Sequence, residues 1–364
     1  MDVDLNTNAG QDGFSFHGSW REFLPIATTN LLLTVVTLGF YRFWATTRER
    51  KYLWSRTEFL DERLEWAGTG KEMFIGFLVA LAVFLPLILF LQFGIQALIL
   101  RGEPVIAVVG SFTTYVALLY LIGLASFRAL RYRLSRTYWR GIRGGSDDAG
   151  WTFARSYLVR AVVNILTIGL MVPWNMVGVW RDRWSKMSFG SHFVQVGDGS
   201  RVDGIMGRWL LLYLTPLLFI MIGGLLAGFM MATGQKPAGA GPTAKAMGLA
   251  LAMVGIIYLL LPFIVMPYFA AFYRKVVGEM SLGGLSFSFN ARTTDWLKLI
   301  FGHIGLVIIT LGLGLVFIGY RNWAFFVRHM SVTGDLNTAD LAQSTTPLRS
   351  DAEGLADAFD IGAI

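Results

Sequence analysis

Seven apolar stretches alternate with short, densely basic ones, and three of them carry a Thr-x-Gly near the middle. The first reads Asn30-Leu-Leu-Leu-Thr34-Val-Val-Thr37-Leu-Gly39-Phe-Tyr41-Arg42-Phe-Trp44, and the second Asn164-Ile-Leu-Thr167-Ile-Gly169 with Trp174 beyond. The third runs from His303 to Thr310-Leu-Gly312, with Phe317 at the tryptophan position. A phrase used three times marks an architectural unit. The other four stretches hold no charge: Met73 to Leu100, Val105 to Phe127, Trp209 to Thr233 and Ala246 to Phe272. Each exceeds the ~20 residues that cross ~30 Å of hydrocarbon. They predict two transmembrane helical hairpins, turning at Arg101-Gly-Glu-Pro104 and in a Gly/Pro/Ala loop ending near Lys245.

Alternating, strand-like sequence flanks the Thr-x-Gly units: Phe14-Ser-Phe16, Thr57 to Trp66, Tyr138-Trp139, Ser188 to Val196, and Leu285 to Phe289. Strands pair only if they meet on one side of the membrane. Each unit also has bases at both ends, Arg21 with Arg42, Arg160 with Arg181, and Lys298 with Arg321. Basic flanks mark the cytoplasmic side. The units are therefore read as re-entrant or interfacial helix pairs bent at the glycine, a plain spanning helix being the alternative. The expected fold is mainly α, a polytopic membrane protein with three Thr-Leu-Gly repeat units, two transmembrane hairpins and a small cytoplasmic β-sheet. Its parts are a disordered N-terminus (1–13), unit one plus a hairpin (14–130), unit two plus a hairpin (131–272), unit three (273–332) and a disordered acidic tail (333–364).

Composition agrees. The 364 residues are 54% hydrophobic and 15% charged, against about 25% charged in soluble chains. The net charge of +7 gathers beside apolar segments, which suits membrane topology and headgroup contact better than nucleic acid. There is no cysteine, so disulfides, thiolate metal sites and cysteine nucleophiles are excluded. Asp2, Asp4 and Asp12 precede any base, so no cleavable signal peptide is expected.

Catalytic chemistry finds no footing. No nucleophile elbow, phosphate loop or acid pair is present, and His17, His192, His303 and His329 lack metal-ligand spacing. No enzyme, cofactor or metal is expected. The charge-free runs also lack the ionisable groups of proton relays. A repeated polar set remains: Asn30, Thr34, Thr37, Gly39, Asn164, Thr167, Gly169, His303, Thr310 and Gly312. It would line a small cavity where the bends converge, or its hydroxyls would bond backward to carbonyls and bend the helices; the second reading is favoured. Arg48, Arg50, Lys51 and Trp44, Arg181, Arg183, Lys186 and Trp174, and Arg321 are candidates for anionic headgroups, since bases and aromatic rings suit that depth.

Phe16-x-Gly18, the Asn30 to Trp44 phrase, Arg48, Tyr52, Thr57 and Gly68-Thr69 together resemble the YjgN-like family, bacterial inner-membrane proteins classed as a domain of unknown function. The resemblance covers roughly Phe14 to Gly334. Unit two departs with Ile168 and Pro173-Trp174, and unit three with Phe317. The family implies multi-pass insertion in a bacterial inner membrane and supplies no activity. A transport or channel-type role is the first reading. The alternative is a structural or lipid-organising protein whose partners are anionic lipids. Homo-oligomerisation and substrate stay open.

Overall fold

The computed structural model describes residues 13–198, 202, 204–232, 244–335 and 342–344. The expectations for residues 1–12, for the Gly/Pro/Ala loop and for most of the acidic tail lie outside them. After β1 (Phe14–Phe16), Ser19 opens α1 (Trp20–Val36) by accepting the Glu22 N–H at 3.2 Å, so one orphan donor of the first turn is satisfied. The helix stops at Thr37-Leu38-Gly39. Gly39 N–H reaches the Thr34 carbonyl at 2.7 Å and Leu38 N–H the Val35 carbonyl at 3.1 Å, the paired bonds of a Schellman stop. Leu38 (φ 50°) and Gly39 (φ 92°) are left-handed, which only glycine adopts freely. The chain then folds back as α2 (Arg42–Ser55).

Both ends of this pair are tied together. The Tyr52 hydroxyl donates to the Ser19 carbonyl at 2.9 Å, and Arg56 pairs with Glu22 at 3.0 Å. Two short hairpin strands, β2 (Thr57–Phe59) and β3 (Glu62–Arg63), and then β4 (Glu65–Trp66) follow. Thr69 and Glu72 form a capping box that launches α3 (Gly70–Leu89), continued by a π-turn over Phe90–Gly94 into α4 (Ile95–Leu100). Pro104 begins α5 (Pro104–Ser135), a position where its missing N–H costs nothing. Glu72 receives Arg136 at 2.7 Å and the Tyr132 hydroxyl at 3.0 Å, which brings the start of α3 beside the end of α5.

The arrangement recurs. β5 (Thr137–Trp139) and β6 (Ile142–Gly145) lead to α6 (Trp151–Leu166) and α7 (Val172–Trp184), then to β7 (Ser188–Phe189), β8 (His192–Phe193) and β9 (Gln195–Val196). Two long helices, α8 (Met206–Ala232) and α9 (Ala244–Gly278), return the chain to β10 (Met280–Leu282) and β11 (Leu285–Phe289). A last pair, α10 (Thr293–Ile309) and α11 (Ile318–His329), ends in β12 (Met330–Thr333). Gly169 and Gly312 repeat the bonds of Gly39, at 2.7 and 2.8 Å to the Asn164 and Val307 carbonyls. Ile168 and Leu311 repeat the left-handed turn of Leu38.

Three helices among the described residues are long and apolar enough to cross a membrane: Gly70–Leu100, Pro104–Ser135 and Leu259–Gly278. The strands make three antiparallel sheets instead of the one expected: β1-β2-β3, β4-β5-β6-β7-β8 and β9-β10-β11-β12. One residue separates each sheet from the next, Leu64 between β3 and β4 and Val194 between β8 and β9. At the far edges Gly13 backs onto Val332, where a methyl would stand 2.7 Å from its Cβ. The strands thus follow one another round a ring. Phe59, Trp139, Leu285 and Val332 fill its core, and the Trp139 indole donates to the Phe59 carbonyl at 2.9 Å.

Candidate functional site

Three of the four threonines of the repeated polar set, all but Thr34, turn their hydroxyls back on their own helix ends. Thr37, Thr167 and Thr310 donate to the carbonyls four residues back, at 2.7, 2.8 and 2.6 Å. Their oxygens accept the N–H groups of Tyr41, Met171 and Gly314 across the turn, at 2.9, 3.4 and 2.7 Å. Each hydroxyl is spent on its own turn. The asparagines and the histidine lie inside their own pairs. Buried Asn30 donates to the Ala45 carbonyl at 3.2 Å and to Glu49 at 3.3 Å, and Asn164 accepts from Asn175 across the second pair. His303 is buried, and its Nε2 has no hydrogen-bond partner among the described residues.

The headgroup candidates separate into classes. Arg48 and Lys51 are exposed, Arg48 reaching Asn30 and the Tyr41 hydroxyl at 3.5 Å each. Arg50 is buried over the Trp66 ring at 5.0 Å. Arg181 pairs with Asp182 at 3.5 Å, Lys186 with Asp148 at 2.6 Å, and Arg321 donates to the Gly302 carbonyl at 3.2 Å. Trp44 and Trp174 stay exposed near their turns.

Arg183 differs from all of these. It sits on the last turn of α7, is 8% exposed, and lines a cavity of about 300 Å³ between α6, α7 and α9. Its neighbours there are Tyr157, Arg160, Asn164, Asn175, Trp180 and Tyr273, with apolar Ala161, Met176, Val179 and Phe272 completing the wall. Of these, Arg183 and Asn164 are site candidates from sequence and Arg160 only a flanking base, while Asn175, Tyr157 and Tyr273 are not among the candidates. Arg160 left a signal: it stands as far before Gly169 as Asn30 before Gly39 and His303 before Gly312.

Charge around the cavity is unevenly matched. Arg160 pairs with Asp182 at 2.7 Å, and Ser156 donates to the same carboxylate at 2.7 Å. Burial alone would raise the Asp182 carboxyl, but the bonds and charges of Ser156, Arg160 and Arg181 hold it below the usual range. Gly178 makes room for the Arg160 guanidinium, since a methyl there would collide with it. Arg183 has no such carboxylate among the described residues. Burial first, and then the neighbouring Arg133 cation, lower it to about 10, so it stays charged at neutral pH. It lies over the face of Trp180, at 5.8 Å.

A family model described as a bacterial protein of unknown function, DUF898, matches residues 11–358. The chain belongs to that family. Inner membrane protein YjgN of Salmonella typhimurium (strain LT2) is 22% identical over 377 residues, covering 92% of each chain. Inner membrane protein YjgN of Escherichia coli (strain K12) is 29% identical over 130 residues, 36% of this chain and 30% of that one. No solved structure matches. Both relatives are named as inner membrane proteins, and this chain has helices long and apolar enough to cross a membrane; the family brings no activity with it, so function rests on the geometry above.

Proposed function

We propose that the protein organises lipid in one leaflet of the inner membrane, the three helix pairs dipping into that leaflet from the side where the strands lie. The observation that carries this reading is the exposure of the three turn residues. Leu38 is 90% exposed, Ile168 78% and Leu311 93%, and Val36, Leu166 and Ile309 beside them are 77%, 76% and 83% exposed. Apolar tips of this kind mark membrane or protein contact. Here three share one geometry beside helices that need lipid.

Length and packing limit how far the pairs reach. α2, α7 and α11 have 14, 13 and 12 residues, or about 18–21 Å at 1.5 Å per residue, short of the ~30 Å core. Phe40 meets Phe74 at 6.5 Å and Phe43 meets Phe77 at 5.1 Å, both in the first two turns of α3. A Cβ on Gly169 would lie 3.8 Å from Tyr213, in the second turn of α8. A wedge that enters one leaflet beside a helix crossing both would displace lipid unequally. The basic ring-side flanks would hold anionic headgroups there. A transport path through the polar set draws no comparable support, since Thr37, Thr167 and Thr310 are spent on their own turns.

The reading is tested by reconstituting the protein in vesicles of anionic phospholipid carrying an acyl-chain order probe in one leaflet. Wild type is expected to change the order of the strand-side leaflet only. The combined variant Leu38→Asp, Ile168→Asp, Leu311→Asp should lose the effect while its spanning helices stay inserted. Equal changes in both leaflets, or none with wild type, would sink it.

A further inference from the structure

We infer that the cavity between α6, α7 and α9 is an oxyanion site read by Arg183, and that its ligand carries a phosphate group. A guanidinium this deeply buried is costly unless an opposite charge or a full set of acceptors meets it. Arg183 has neither among the described residues: its Nε is an orphan, and the largest charge effect on it is that of another cation, Arg133. The remaining named bases of this pair are matched, Arg160 and Arg181 by Asp182 and Lys186 by Asp148. An anion in the cavity would offset the repulsion between Arg183 and Arg133 and give the orphan donor its acceptor.

The planar fork of an arginine fits the paired oxygens of phosphate. The space of about 300 Å³ is far more than a packing defect needs, since the share of a water in the liquid is about 30 Å³. Its walls are two-natured, with the Tyr157 and Tyr273 hydroxyls able to donate to a headgroup and Met176, Val179 and Phe272 able to take an apolar stem. One side is α9, whose Leu259–Gly278 part is apolar enough to span, so the cavity adjoins the surface that lipid covers. A lipid phosphate rests on the function proposed above; a free phosphate does not, and the two arms of the test separate them.

In the first arm, the full chain is purified in detergent and bound phosphatidylglycerol and zwitterionic phospholipid are counted by native mass spectrometry. Arg183→Met removes the charge, Ala161→Phe fills the cavity and leaves Arg183 in place, and Arg101→Gln, on the exposed turn between α4 and α5, serves as a control. In the second, inorganic phosphate is titrated against the thermal midpoint of the same proteins. Retention of one phosphatidylglycerol by wild type and Arg101→Gln, weakened roughly tenfold or more in the other two, supports the site with lipid as the source. A phosphate-dependent rise in midpoint, absent from both cavity variants and without lipid preference, supports it with a free anion as the source. If neither ligand distinguishes wild type from Ala161→Phe, the inference is overturned, even if Arg183→Met fails to fold.

Discussion

Leu38, Ile168 and Leu311 occupy a left-handed position that normally goes to glycine, and a β-branched residue there is an outlier. The strain is of order 1–2 kcal/mol, so a residue kept there must return something. At these tips it returns an apolar side chain held outward. Ile168→Gly is therefore expected to raise stability in detergent by up to about 1 kcal/mol while making the tip shallower in a bilayer; a clear loss in detergent would show that Ile168 is a packing residue instead. Thr310→Val should cost about 1–3 kcal/mol of unfolding free energy in a denaturant titration, about 0.5–1.5 kcal/mol for each bond, since it removes both bonds of its turn hydroxyl. At the foot of the second pair, burial pushes Asp148 up, but Lys186, Gly150 and Thr152 outweigh it and hold the carboxyl below its usual value. A depressed carboxylate stabilises the fold above its unfolded pKa and loses that contribution as pH falls, progressively below about pH 5. The thermal midpoint of wild type should drop there more steeply than that of Lys186→Met, and parallel curves would deny the pair this role.

At the scale of elements, the helix pairs were legible because their stop is local. Thr and Gly at fixed spacing set the bonds that end the first helix, whatever lies around them, and Phe16, Phe59 and Phe289 mark strands by alternation. The cavity was not legible in the same way. Arg183 reads as one of several bases in a stretch, and what isolates it is the approach of Phe272 and Tyr273, some ninety residues on along the chain. The division of the strands was hidden too, since Leu64 and Val194 continue the alternation while the backbone turns from one sheet to the next. Tip chemistry yields a prediction at this scale. Leu311→Asp alone should weaken membrane association of the third pair by up to about 3 kcal/mol, seen as greater protease or solvent access at its turn. Unchanged access would mean the tip never entered lipid.

Across the whole molecule, the ring of strands collects the ends of all three pairs. β1 leads into α1 and α2 returns to β2; β6 and β7 frame the second pair, and β11 and β12 the third. Its core is small, so single residues should weigh heavily. Trp139 is 1% exposed, and Trp139→Ala is expected to cost about 3–5 kcal/mol, with faster hydrogen exchange in all three sheets; exchange confined to its own strands would mean the ring is not one cooperative unit. The absence of cysteine lets one measurement test the central claim, that the tips lie in lipid while both ends of each pair stay on one side. A single cysteine at Leu38, Ile168 or Leu311 would carry a fluorophore in vesicles whose acyl chains are brominated at known depths. All three fluorophores are predicted to be quenched by bromines of the strand-side leaflet and shielded from an aqueous quencher on both sides. Quenching by the aqueous reagent, or by bromines of the opposite leaflet alone, would contradict the account.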